Sequence, residues 1–140
     1  MNELKNYLDE MTILFVDDEK AIVRSGSQML EQLGYQVHST TSSIEALEIF
    51  RKKTDTFDLV VTDMTMPKMT GLRMVSEMHV VRPDIPVIMA TGNRAEISPE
   101  KAKEGGIRVF LIKPPSIGDL AKAVRHVLDS PKKACQGPSE

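Results

Sequence analysis

The 140-residue sequence has no tryptophan and only two tyrosines, which leaves few rings to sandwich a planar cofactor such as a flavin. Its single cysteine, Cys135, stands in a polar tail without a partner in the chain, so neither a disulfide nor a cysteine metal site can be built. That fits a reducing compartment. No apolar run approaches the roughly 20 residues of a membrane helix, and the opening MNELKNYLDEM carries acids where a secretory signal would carry an unbroken apolar stretch. The expected location is therefore the cytoplasm, with no membrane partner. A strong excess of either charge is missing as well. The formal net charge of −2 provides no positive field for general electrostatic attraction of nucleic acid, so direct DNA binding is not expected.

What is present is the composition of one ordinary globular domain, with 41% apolar and 27% charged residues. Short β-branched or apolar runs recur at residues 12–16, 36–39, 58–62, 86–90 and 107–112, each bounded by turn or charged residues, and are expected to be strands. Segments of helical period lie between them. Ile22, Met29 and Leu33 mark the first, Leu47 and Phe50 the second, and Leu72, Val75 and Met78 the third. A short fourth helix is expected near Ser98-Pro99, and a last one over residues 117–129 with Leu120, Val124, Val127 and Leu128 on one stripe. Ser42-Ser43-Ile44-Glu45 has the form of a capping box, and Gly34 and Gly105-Gly106 stand where helices should stop.

The runs ILFV, LVV and VIMA are apolar without alternation, as strands covered on both faces by helices must be. The pattern therefore predicts a doubly wound α/β domain with a five-stranded parallel sheet over residues 12–129. Residues 1–11 form an extension in which Leu4, Leu8 and Met11 could line a marginal helix, and residues 130–140 form an aperiodic, frayed tail. In sheets of this kind ligands bind outside the carboxyl ends of the strands. Strand 1 runs into Asp17-Asp18-Glu19, strand 3 ends at Asp63, strand 4 at Thr91 and strand 5 at Lys113. A parallel sheet brings all of these to one edge. Three carboxylates placed together repel one another, so one must be protonated or a hard cation must sit among them, and an all-oxygen set suits Mg²⁺.

The motifs FVDDE, DMTMPKMTGL, MATGN and FLIKP, in that order, resemble those of the response-regulator receiver family over about residues 12–128. The resemblance implies a flavodoxin-like (βα)5 fold with strand order 2-1-3-4-5 and a phosphoacceptor role in a two-component relay. It implies that Asp63 is the nucleophile that takes a phosphoryl group from the phosphohistidine of a histidine kinase or histidine phosphotransfer protein. Asp18 and Asp63 would ligate Mg²⁺ directly, Asp17 mainly through water, and the main-chain carbonyl of Thr65 would complete the set. Thr91 and Lys113 would contact the phosphoryl oxygens, Gly92 would leave space for the phosphate, and Thr65 and Asn93 would flank it. The Lys113-Pro114 bond would be cis. Thr91 and Phe110 would form the switch, with Phe110 standing where many relatives have tyrosine. Downstream effectors, and a phosphorylation-dependent homodimer, would use the face made by the fourth helix, fifth strand and last helix. The module would not be an enzyme in the turnover sense, and it could stand alone or belong to a hybrid kinase.

Each residue has a plainer reading when taken singly. Asp17-Asp18 is an ordinary helix start, Asp63 a turn acid, Lys113 a solvated lysine and Phe110 a core ring. Their shared edge is what favours function. His38, His79 and His126 lie on separate elements without ligand spacing. A flavodoxin would need an uncharged phosphate loop after strand 1, and a phosphatase of the haloacid dehalogenase type would need its nucleophile there in a D-x-D pattern; DDE supplies neither. A degenerate receiver serving only as a binding module would lack some of the acids, Thr91 or Lys113.

Overall fold

The computed structural model describes residues 11–92, 100 and 106–129. Its strands are β1 (Thr12–Val16), β2 (Gln36–Thr40), β3 (Leu59–Asp63), β4 (Val87–Thr91) and β5 (Val109–Ile112). Its helices are α1 (Lys20–Gln32), α2 (Ser43–Lys52), α3 (Gly71–Val81) and α4 (Ile117–Asp129), with a short 3-10 turn at Thr54–Thr56. All neighbouring strands pair in parallel, in the order β2-β1-β3-β4-β5. The expected helix near Ser98-Pro99, residues 1–10 of the extension and the tail from residue 130 lie outside the described residues.

The three runs without polar alternation occupy the middle of the sheet and are buried along their whole length, whereas β2 at one edge exposes Gln36, His38 and Ser39. Side chains alternate between faces along each strand. Leu14, Val16, Val60, Val87 and Met89 meet Phe50 of α2 and Met74 and Met78 of α3 on one side. Ile13, Phe15, Leu59, Val61 and Ile88 meet Leu30 of α1 and Leu120, Val124 and Val127 of α4 on the other. Each of these large apolar side chains, once buried, contributes about 1.5–3 kcal/mol. Two apolar layers thus clamp the sheet between two helix pairs.

Strand limits differ from the sequence expectation by small steps with identifiable causes. The Asp58 carboxylate accepts a hydrogen bond from the Thr12 N–H at 2.8 Å, which occupies it as a side-chain anchor and starts β3 one residue later. Pro86 has no N–H to give the ladder, although its carbonyl accepts from Val60 N–H at 3.0 Å, so β4 begins at Val87 and runs to Thr91. β3 and β4 consequently end on Asp63 and Thr91 themselves.

Helix ends follow the expected chemistry. Ser42 Oγ accepts from Glu45 N–H at 3.1 Å, but the Glu45 carboxylate takes the Thr40 hydroxyl, and Ser42 N–H donates to Thr40 Oγ1 at 3.2 Å. The box is therefore closed through Thr40. Gly34, at φ 101°, ends α1 with its N–H on Glu31 O at 3.0 Å and the Tyr35 N–H on Leu30 O at 3.2 Å, a Schellman arrangement. Thr70 and Ser116 cap α3 and α4, accepting from Arg73 N–H at 3.2 Å and Asp119 N–H at 3.0 Å.

One glycine fixes the height of Asp63. The Gly71 N–H donates to Met64 O at 2.9 Å, and a Cβ at Gly71 would sit 2.1 Å from the Asp63 carbonyl oxygen, a backbone atom that cannot swing aside. Gly71→Ala should lower the unfolding free energy by about 1–3 kcal/mol in urea melts, as overpacking does. Unchanged stability would mean that α3 can draw back from β3 at no cost.

Candidate functional site

Strand register delivers the polar residues to one edge. Asp63 pairs with Ala90 across β3 and β4, and Thr91 pairs with Ile112 across β4 and β5, so each strand ends within a step of its neighbour. Asp17 follows the last residue of β1 and Lys113 the last residue of β5. Asp17, Asp18 and Asp63 each present a carboxylate oxygen, and these lie within 4.8 Å of one another. Asp17 and Asp63 are buried, at 2% and 6% exposure, while Asp18 is exposed.

The Lys113 ammonium sits between the buried acids, 3.0 Å from Asp17 Oδ2 and 3.3 Å from Asp63 Oδ2. Its own backbone is tied to β4 by Lys113 N–H donating to Thr91 O at 2.9 Å, and the Lys113-Pro114 bond is cis, as the resemblance implied. Asp17 Oδ1 accepts from Glu19 N–H at 2.9 Å and Asp63 Oδ1 from Thr65 N–H at 3.4 Å. The acids are thus oriented by backbone groups of the loops that follow them.

An open hollow of about 550 Å³ lies above, walled by Asp18, Glu19, Asp63, Thr65, Gly92 and Lys113. A Cβ placed on Gly92 would meet nothing within 4 Å, so this wall is not crowded. Room for a cation and a tetrahedral anion is present beside Asp63.

The electrostatics combine burial with an excess of carboxylates. Burial, then repulsion from Asp17, pushes the Asp63 carboxyl up from 3.8 to about 6, against the opposing pull of Lys113 and the Thr65 N–H. Burial would lower the Lys113 ammonium, but its hydrogen bond and attraction to Asp17, followed by those to Asp63, outweigh that and raise it above its ordinary 10.5. One ammonium does not neutralise three acids. A divalent cation added to it would, and the hard, all-oxygen donor set with an open side fits Mg²⁺.

Asp17, Asp18, Asp63 and Lys113 therefore come together as the sequence predicted, and Thr65 lines the same hollow. Thr91 is buried at the end of β4, immediately before Gly92. Phe110 is 1% exposed and packs in the layer formed with α2 and α3. Asn93 lies outside the described residues. Of the histidines, His79 Nε2 is 3.1 Å from Ile85 O and His38 meets the Phe57 ring edge-on; neither belongs to the acids' cluster. Sequence reasoning gave no role to Glu19, which reaches Lys113 at 3.8 Å, or to Gly71. Both were visible inside the quoted motifs, as the third acid of FVDDE and the glycine of DMTMPKMTGL, but spacing alone does not reveal a contact.

A family profile described as the response regulator receiver domain matches residues 13–125. The chain belongs to this family. It is 38% identical over 122 residues to the sensor kinase CckA of Brucella abortus (strain 2308), an alignment covering 84% of this chain and 12% of that protein. The chain spans well under a quarter of the length of that kinase and of the two-component response regulator ORR22 of Oryza sativa subsp. indica. Among solved structures, a response regulator receiver domain protein from Clostridium thermocellum superposes with a TM-score of 0.81 at 33% identity, covering 87% of this chain and 97% of that one. The receiver domain of the hybrid histidine kinase CckA gives 0.71 at 31% identity, covering 84% and 98%. The chain is thus a CheY-like receiver domain of two-component signalling, related to the receiver domain of a hybrid kinase. Receiver domains bind Mg²⁺ in an acidic pocket, and the Asp cluster stands where such a pocket should be. Among the described residues no helix is long and apolar enough to cross a membrane.

The raised Asp63 carboxyl makes stability depend on pH. Because its folded value lies above 3.8, ionisation costs the folded state, and metal-free stability should fall as pH rises from 3.8 through about 6. Asp63→Asn should abolish that fall, and Mg²⁺ should restore stability most strongly above it. Thermal melts across the window, with and without Mg²⁺, measure both effects; a profile equally flat in native and variant protein would contradict this balance of charges.

Proposed function

We propose that this receiver domain, residues 12–129 with an extension at 1–11 and a tail at 130–140, accepts a phosphoryl group on Asp63 from the phosphohistidine of a histidine kinase or histidine phosphotransfer protein. The observation that carries the reading is the meeting of Asp17, Asp18 and Asp63 within 4.8 Å, with Lys113 bridging the two buried acids at the carboxyl edge of the sheet. Asp17, Asp18, Asp63 and the Thr65 carbonyl would hold Mg²⁺. When bound, it would neutralise charge on the phosphoryl oxygens, the main demand of phosphoryl transfer.

The chain's own groups do the rest. An Asp63 carboxylate oxygen attacks phosphorus; the O–P bond forms as the P–N bond to the imidazole breaks, and the imidazole leaves with the electron pair and takes up a proton. No base is needed, because the nucleophile is already an anion. Lys113 turns its ammonium to a phosphoryl oxygen and Thr91 offers its hydroxyl. Gly92 keeps the approach clear, and Thr65 and Asn93 flank the group and influence how slowly water removes it.

The switch would follow from Thr91 moving toward the new phosphoryl group and Phe110 moving into the space that it vacates. Phe110 has no hydroxyl, so its inward and outward states would differ by packing alone; here it is buried in the layer that also holds Met89. Effectors would read the face expected from the helix near Ser98-Pro99, β5 and α4, where Ile112 and Ile117 are exposed apolar residues. That face would also serve a phosphorylation-dependent homodimer. The setting is the cytoplasm, with neither nucleic acid nor membrane as direct partner. Likeness to the CckA receiver supports a place in a hybrid kinase beside the stand-alone alternative.

Acetyl phosphate with Mg²⁺ should label the native protein once, and Asp63→Asn should take up no label, measured by intact mass. Full labelling of that variant would overturn the assignment. Excess chelator should stop labelling while the far-ultraviolet circular dichroism stays unchanged; labelling that continues without divalent ions would remove the metal from the account.

A further inference from the structure

The chemistry above leaves Glu19 unused. It occupies the N-cap position of α1, where a short polar side chain ordinarily accepts from the first helical N–H groups, yet its side chain makes no cap hydrogen bond. Its backbone N–H is instead held by Asp17 Oδ1 at 2.9 Å, and its carboxylate turns to the mouth of the hollow, with Oε1 3.8 Å from Lys113 Nζ. The Glu19 side chain is 63% exposed, whereas that of Lys113 is 13% exposed. A solvated carboxylate at the rim thus faces the inner ammonium.

Among the described residues Lys113 has three acidic partners of two kinds. Asp17 and Asp63, at 3.0 and 3.3 Å, are the acids assigned above to the cation; Glu19 is not. A divalent ion among Asp17, Asp18 and Asp63 would draw on the negative charge that now holds the ammonium and would repel it at close range. The Lys113 backbone is fixed to Thr91, so only its flexible four-carbon stem can respond. The ammonium needs another acid within reach, and Glu19 is in place.

Resting on the receiver reading of the site, we propose that Glu19 is a positioning residue for Lys113: it receives the ammonium when the metal enters and holds it at the rim until a phosphoryl oxygen takes over. Glu19 thereby favours metal binding through Lys113, not merely by adding one more negative charge to the mouth. It also competes with the phosphoryl group for the same ammonium.

A double-mutant cycle on the full chain separates an effect routed through Lys113 from one of general charge. Mn²⁺ binding would be titrated, by loss of the free-ion paramagnetic resonance signal, for the native protein, Glu19→Gln, Lys113→Met and the double variant, with circular dichroism confirming the fold of each. Glu19→Gln should weaken Mn²⁺ binding about three- to tenfold with Lys113 present and by less than about 1.5-fold in the Lys113→Met background. Equal weakening in both backgrounds would assign the effect to general charge and overturn the proposal, as would no change in either. Failure of the native protein itself to bind Mn²⁺ would instead strike at the receiver chemistry on which the proposal rests.

Discussion

Mutual repulsion of carboxylates gathered at one sheet edge is the constraint around which this domain is arranged. Asp17 and Asp63 are both buried, and burial first, then Asp17, raises the cost of a charge on Asp63. The fold tolerates them because Lys113 lies between them and because two loop N–H groups are aimed at their oxygens. That tolerance is incomplete, as the elevated Asp63 carboxyl shows. A site left short of positive charge in this way is suited to a divalent ion. In the function proposed above, fold stability and phosphoacceptor chemistry are coupled through the same few oxygens.

The scaffold makes this possible by packing both faces of the sheet and leaving a hollow at its carboxyl edge. Central strands packed on both faces fix the positions of Asp63 and Thr91 to the register of the sheet. The close seat of Gly71 against the Asp63 carbonyl then sets how α3 leaves the site. Around the hollow, by contrast, the walls are largely loop residues and exposed side chains.

Much of this was legible in the residues themselves. Three runs without polar alternation forced a two-sided sheet, and parallel strands then forced Asp17, Asp63, Thr91 and Lys113 to one edge. Gly34 announced the end of α1 because a residue at ease with φ 101° completes that turn. Other features were not legible, for reasons that are equally physical. Strand limits at Asp58 and Pro86 depend on which backbone groups find partners across the sheet, which no local run encodes. The capping box closed through Thr40 because β2 happens to deliver that hydroxyl beside Glu45. The reach of Glu19 to Lys113 joins residues far apart in the chain, and the inward packing of Phe110 is a property of the assembled layer. Tertiary proximity decides such contacts, whereas periodicity decides the elements that create it.

The central claim, that the sheet edge forms one cation-binding hollow beside Asp63, is most directly tested by paramagnetic broadening in a ¹⁵N-labelled sample titrated with trace Mn²⁺. Amide signals of Asp17, Asp18, Asp63 and Thr65 should vanish first and together, and excess Mg²⁺ should bring them back. Broadening spread evenly over the surface acids, with those four signals persisting, would contradict it.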